Sequence, residues 1–163
     1  MKVRYAWLVA AAYGVIALQG ALIGRAGLGT FAPDLTFILV VFLALRAPAY
    51  PALIVSWSLG LAKDATGGGP LGAWAVLFLG AAAIILGLRD KFFIQKALTQ
   101  VLLAGVAAMV VDVAYLLGRW AFHRGTSSLG RAMLFAAAGA LVTAALTPVL
   151  VRLFGRFRLV RAE

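Results

Sequence analysis

Apolar residues fill six stretches of this 163-residue chain, and charged residues, glycine or proline close each one. The pattern predicts helices over about residues 5–24, 33–47, 50–63, 70–89, 95–119 and 129–154, forming a single transmembrane domain over 1–163. A spanning helix needs ~20 apolar residues, so the length suits six spans with no soluble domain beside them. The runs are continuous rather than alternating, which argues against a β-barrel. Lys2 and Arg4 ahead of the first run also fit the start of a signal peptide. That run is long, holds Trp7 and Tyr13 and lacks a small-x-small cleavage pattern, so an uncleaved first span is expected.

The breaks shape the middle of the chain. Pro33 suits a helix start and Asp34 complements the positive end of the helix dipole. The second and third runs are short and meet at a turn bracketed by Pro48 and Pro51, neither of which continues a helix interior. They are expected as two short helices packed against longer neighbours or in locally thinned bilayer. The third run ends in "GLAKDATGGGPLG", residues 60–72, read as a helix end, an outer-face turn and a helix start at Pro70. There Lys63 and Asp64 are expected to reach the interface and pair, and the glycines to supply unusual backbone angles. Pro148 is expected to kink the last helix.

Composition strengthens the membrane reading. The chain is 64% hydrophobic and 12% charged, with a mean hydropathy of +1.04, well outside the range of soluble domains. It is an integral membrane protein. The net charge of +10 points to membrane boundaries and not to nucleic acid, because no basic face is interleaved with stacking aromatics. With the N-terminus inside, ten of the 15 Lys and Arg fall on the cytoplasmic side: Lys2, Arg4, Arg46, the three of the 89–96 loop and the four of residues 152–161. The other five (Arg25, Lys63, Arg119, Arg124 and Arg131) fall outside, as the positive-inside rule prefers. Both termini are therefore expected in the cytoplasm.

Candidate chemistry is sparse. Cysteine is absent, and His123 is the single histidine. Neither a metal site nor a Ser-His-Asp triad has its parts. Ser127 and Ser128 read as loop residues or a cap for the last helix. The triple glycine lacks a following Gly-Lys-Ser/Thr and follows no strand, so phosphate binding is not expected. No enzyme activity, cofactor or metal is expected. Among the carboxylates, Asp34 reads as a cap and Asp90 tempers a basic loop. Asp112 lies within an apolar helix, where an ionisable group needs a reason, and its partner is sought among Arg25, Arg119 and Lys63. It reads first as structural glue, with a substrate or proton role as the alternative. Association surface is more plentiful: Gly20 and Gly24 form a Gly-x-x-x-Gly pair, and Ala136, Ala140 and Ala144 share a face of the last helix. Most of these contacts are expected to hold one chain together, and a homodimer stays open.

Taken in order, a Pro-Asp opening a short second helix ("APDLTFILVVFLALR"), a Pro-bearing turn and an Asp-(Ser/Thr)-Gly-type turn before a Leu-Gly helix start ("GLAKDATGGGPLGAWAVLFLG") resemble the bacterial rod-shape-determining membrane protein MreD. Length and hydropathy match over nearly the whole chain, and the specific residues lie within about 33–80. Pro33, Asp34, Gly60, Asp64, Gly67, Leu71 and Gly72 carry the match, whereas Lys63 departs from the family's usual apolar residue.

The resemblance implies an all-α polytopic membrane protein of six transmembrane helices, similar to the substrate-binding subunits of energy-coupling-factor transporters. It also implies a non-enzymatic scaffold or regulatory subunit of the cell-elongation machinery for peptidoglycan synthesis, in the inner membrane. Implied partners are MreC, bound directly, and through it RodA, a class B penicillin-binding protein and MreB, besides membrane lipids. On this reading Pro33, Asp34, Gly60, Asp64, Gly67, Gly72 and Asp112 are partner or structural candidates. The alternative is a vitamin-capturing subunit of an energy-coupling-factor transporter, which would require convergent polar and aromatic groups in an outward pocket.

Overall fold

A computed structural model describes residues 2–3, 5–24, 33–67, 70–89, 96–122, 129–156 and 160–161. These form six helices: α1 (Tyr5–Gly24), α2 (Leu35–Arg46), α3 (Ala49–Gly67), α4 (Ala73–Leu88), α5 (Ala97–Phe122) and α6 (Leu129–Arg156). At the ends of the chain Lys2–Val3 (β1) pairs antiparallel with Val160–Arg161 (β2), which brings the two termini together.

The shortest helix is the centre. Every residue of α2 from Leu35 to Leu45 is 7% exposed or less, as befits a helix that is apolar all round. At about 18 Å it is too short to span a bilayer alone. It is enclosed instead: α1, α3, α4 and α6 pack around it, with a smaller approach from α5. Phe37 meets Phe78 of α4, and Phe42 meets Phe154 of α6 edge to face, both with ring centroids 5.6 Å apart.

The closest helix packing lies within two hairpins, α3/α4 and α5/α6. Gly60 permits the first, because its backbone lies directly on the start of α4. In the second, Gly105 lies opposite Ala144, and a Cβ on Gly105 would come 3.0 Å from the Ala144 Cβ. Ala140 and Ala144 are both buried, so part of the alanine face works within the chain. Gly20 has open space where a Cβ would be, so it makes no close helix contact here, and the surroundings of Gly24 lie outside the described residues.

The outer surface is oily. Tyr13, Ile54, Val76, Leu102, Val106 and Leu141 are among the large apolar side chains that stand exposed on α1, α3, α4, α5 and α6. In water such a surface would drive aggregation, and in lipid it is the expected exterior. Two stretches, Leu98–Ala121 and Gly130–Arg156, are long and apolar enough to cross a membrane. Ala10–Ala21, Leu35–Arg46 and Ala73–Leu88 are shorter apolar helical stretches.

The largest departure from the sequence reading concerns α3. It continues to Gly67 rather than stopping at Lys63, so Lys63 and Asp64 lie within the helix and not in a surface turn. The fourth helix starts at Ala73, three residues after Pro70. Between them Gly72 adopts φ +94°, a left-handed backbone that glycine takes without steric cost. Gly68 and Gly69, Arg25, Asp90, His123, Ser127 and Ser128 lie outside the described residues. The last helix runs through Pro148.

Candidate functional site

Asp34, Lys63, Asp64, Gln19, Thr36 and Thr143 converge at one end, where α2 and α4 begin and α3 ends. Asp34 is the N-cap of α2, and its Oδ1 accepts the Phe37 N–H at 3.0 Å. Its own N–H donates to Thr143 Oγ1 of α6 at 3.0 Å. The other carboxylate oxygen, Oδ2, forms an ion pair with Lys63 Nζ of α3. One residue thus starts the central helix and ties it to two others.

Lys63 has a second role. Its ammonium stands 3.5 Å from the centroid of the Trp74 ring, with Phe78 behind at 5.1 Å. Aromatic faces attract cations, and more strongly where water is excluded. Trp74 in turn stacks on Tyr115 of α5, with centroids 4.3 Å apart. The chain Asp34–Lys63–Trp74–Tyr115 therefore crosses α2, α3, α4 and α5.

Asp64 faces the other way. It is 2% exposed and accepts the backbone N–H groups of Gly72 (2.9 Å), Trp74 (3.1 Å) and Ala75 (3.3 Å). The first N–H groups of a helix have no partner within the helix, and Gly72 at the N-cap has no side chain to offer. Asp64 supplies the cap from the preceding helix, and its negative charge suits the positive end of the α4 dipole. The expected surface pairing of Lys63 with Asp64 is corrected here. Adjacent on α3, the two side chains are claimed by different elements, Lys63 by Asp34 and Asp64 by the start of α4.

The first helix joins the node through Gln19. Its Oε1 accepts from both the N–H (3.1 Å) and the hydroxyl (2.7 Å) of Thr36, in the first turn of α2. At the opposite end of α2, Arg89 donates to the carbonyls of Ala47 at 2.7 Å and Ala44 at 3.4 Å. A guanidinium thereby completes the C-terminus of a buried helix, with the charge the dipole favours there.

Of the sequence candidates, Pro33, Asp34, Gly60, Asp64 and Gly72 meet at this end. Gly60 and Gly72 serve the α3/α4 corner, and Pro33 is buried just ahead of the α2 cap. Gly67 closes α3 with nothing within 4 Å of where a Cβ would be, and Leu71 is exposed. Asp112 sits on α5, within electrostatic range of Lys63 and Asp34. Of its proposed partners, Lys63 acts on it electrostatically, and Arg25 lies outside the described residues. Gln19, Thr36, Trp74, Thr143 and Arg89 were not among the site candidates, although a polar side chain within an oily segment was itself the signal for Gln19, Thr36 and Thr143. Groups of three or more His, Cys, Asp or Glu placed to hold a metal do not occur among the described residues.

The family model described as rod shape-determining protein MreD matches residues 1–157. The chain belongs to the MreD family. Membership brings a membrane location and a role in rod-shape determination, in a family known for shape and not for catalysis. No curated protein and no solved structure matches the chain. Within an MreD-family protein the node is best described as architecture: its charges and hydrogen bonds are spent on one another and on helix ends.

Proposed function

We propose that this MreD-family chain is a non-catalytic scaffold subunit of the cell-elongation machinery that builds peptidoglycan. It spans the cytoplasmic membrane six times with both termini in the cytoplasm, and it acts by binding MreC. Through MreC it meets RodA, a class B penicillin-binding protein and MreB. The observation that carries this reading is the family match across residues 1–157.

Further features agree with it. Six helices return the chain to its starting side, in keeping with the pairing of Lys2–Val3 with Val160–Arg161. The short α2 is compatible with a span because longer helices enclose it. On this topology the node of Asp34, Lys63 and Asp64 belongs to the outer side of the membrane, and the basic ends of α2 and α6 to the inner side. The proposal extends to a likeness in fold with the substrate-binding subunits of energy-coupling-factor transporters. Vitamin capture is disfavoured, because Gln19, Asp34, Lys63, Asp64 and Thr143 are engaged with one another and with helix ends rather than held toward a ligand.

Co-expression with the MreC of the same organism and purification in detergent test the reading. A complex that survives size exclusion is the expected result. A chain that emerges alone, carrying a vitamin, would overturn it.

A further inference from the structure

One face of α6 changes character along its length. Val142, Ala145 and Val149 lead along it to Arg152, Leu153 and Arg156, at the three- and four-residue spacing that keeps side chains on one side of a helix. All six are exposed, so no other part of the described chain covers this face. Neither Arg152 nor Arg156 has a hydrogen-bond or ion-pair partner among the described residues. The neighbouring helix ends in the same way. Asp34 meets Thr143 and, further along both helices, Phe42 meets Phe154, so α2 and α6 run parallel. Arg46, exposed and one turn beyond Phe42, therefore closes α2 near the level of Arg156. Of the described carboxylates, Asp34 and Asp64 lie at the opposite end, and Asp112 lies past the middle of α5. Among the described residues this end is cationic with no counter-charge.

We infer that this face of α6 is a docking strip for an anionic phospholipid, with the phosphate between Arg152 and Arg156 and an acyl chain along Val149 and Val142. A guanidinium presents a fork of donors that matches phosphate oxygens, and two of them one turn apart can hold the same group. The last turn of a helix carries partial negative charge, so its backbone repels an anion and the arginines supply the attraction. The apolar half of the face selects the source of the phosphate. A free phosphate or an acidic peptide would engage the arginines and leave Val149, 59% exposed, uncovered. A phospholipid covers both halves, because its own charge and chains are arranged in the same order. Arg46 adds a third positive charge near the headgroup. The inference rests on the proposed topology only in placing this end at the inner leaflet, and not on the binding of MreC.

Native mass spectrometry of the full chain in detergent, titrated with phosphatidylglycerol or phosphatidylcholine, tests it. The wild type should retain phosphatidylglycerol in preference to the zwitterionic lipid. Arg152→Gln/Arg156→Gln should weaken phosphatidylglycerol binding roughly thirtyfold, as about 1 kcal/mol per basic residue implies. Arg152→Lys/Arg156→Lys should recover part of it, since the charge stays and the fork of donors is lost. Arg119→Gln, at the far end of α5 and also exposed, should bind as the wild type does. The inference is overturned if the double Gln variant binds phosphatidylglycerol undiminished, or if Arg119→Gln loses as much, which would mean attraction by net charge alone. It is also overturned if the wild type holds both lipids alike, or if glycerol 3-phosphate or a polyglutamate peptide displaces the lipid at equal concentration. MreC is absent from the assay, so a chain that binds lipid but not MreC would count against the proposed function and leave this result standing.

Discussion

Gly60 of α3 lies so close to Ala75 of α4 that a Cβ built on it would fall 2.4 Å from the Ala75 Cα, with the Ala75 N and Trp74 O each at 2.6 Å. The obstacles are all backbone, so no rotamer change relieves them. Gly60→Ala must push α3 and α4 apart, and overpacking of this kind costs about 1–3 kcal/mol. The expected outcome is a lower melting midpoint and a lower yield of monodisperse protein. Gly67→Ala, with open space around the site, should leave both unchanged.

Asp64 holds three N–H groups of α4 while buried. Asp64→Ala leaves them without an acceptor in a largely buried corner, at a cost of about 2 kcal/mol. Asp64→Asn retains a carbonyl oxygen and should be milder. Thermal unfolding of the two variants, with amide exchange at Gly72–Ala75, reads the difference. Equal stability of Asp64→Ala and wild type would show that another group caps α4.

Arg89 completes the C-terminus of α2 through Ala44 and Ala47. Arg89→Met should cost about 1–2 kcal/mol by leaving those carbonyls unpaired. Arg89→Lys should recover part of it, since an ammonium keeps the charge but loses the guanidinium's fork of donors. Melting midpoints in the order wild type, Arg89→Lys, Arg89→Met are expected.

The first helix packs chiefly on α2, and Gln19 is its polar tie through both donors of Thr36. Gln19→Leu leaves Thr36 with unpaired donors inside the protein, a loss of about 1–3 kcal/mol. Exchange of α1 amides should rise well before that of α3 and α4. Thr36→Val in the Gln19→Leu background should restore part of the loss, because the unpaired hydroxyl goes with it.

How much of this was legible beforehand varies from residue to residue. Pro33-Asp34 before an apolar run reads as a helix start, and the structure has Asp34 accepting the Phe37 N–H. The same pattern carries no sign of Thr143, which is 109 residues away. Lys63 and Asp64 before three glycines look like the end of a helix, since charge beside glycine usually marks a surface turn. The helix continues because both charges find partners inside the bundle, at residue 34 and at residues 72–75, which local pattern does not register.

The sequence by itself determined the solvent and the element type. Long apolar runs with few charges can satisfy their backbone in lipid only as helices. It also pointed to the family through residues concentrated around 33–80, and the family match extends over residues 1–157. What only the tertiary structure decided is which run lies at the centre and where each charge goes. Every run here is oily, so hydropathy does not distinguish the enclosed α2 from helices that face lipid. Charges at membrane depth are settled by partners brought near from distant parts of the chain, and that proximity is a property of the packed bundle alone.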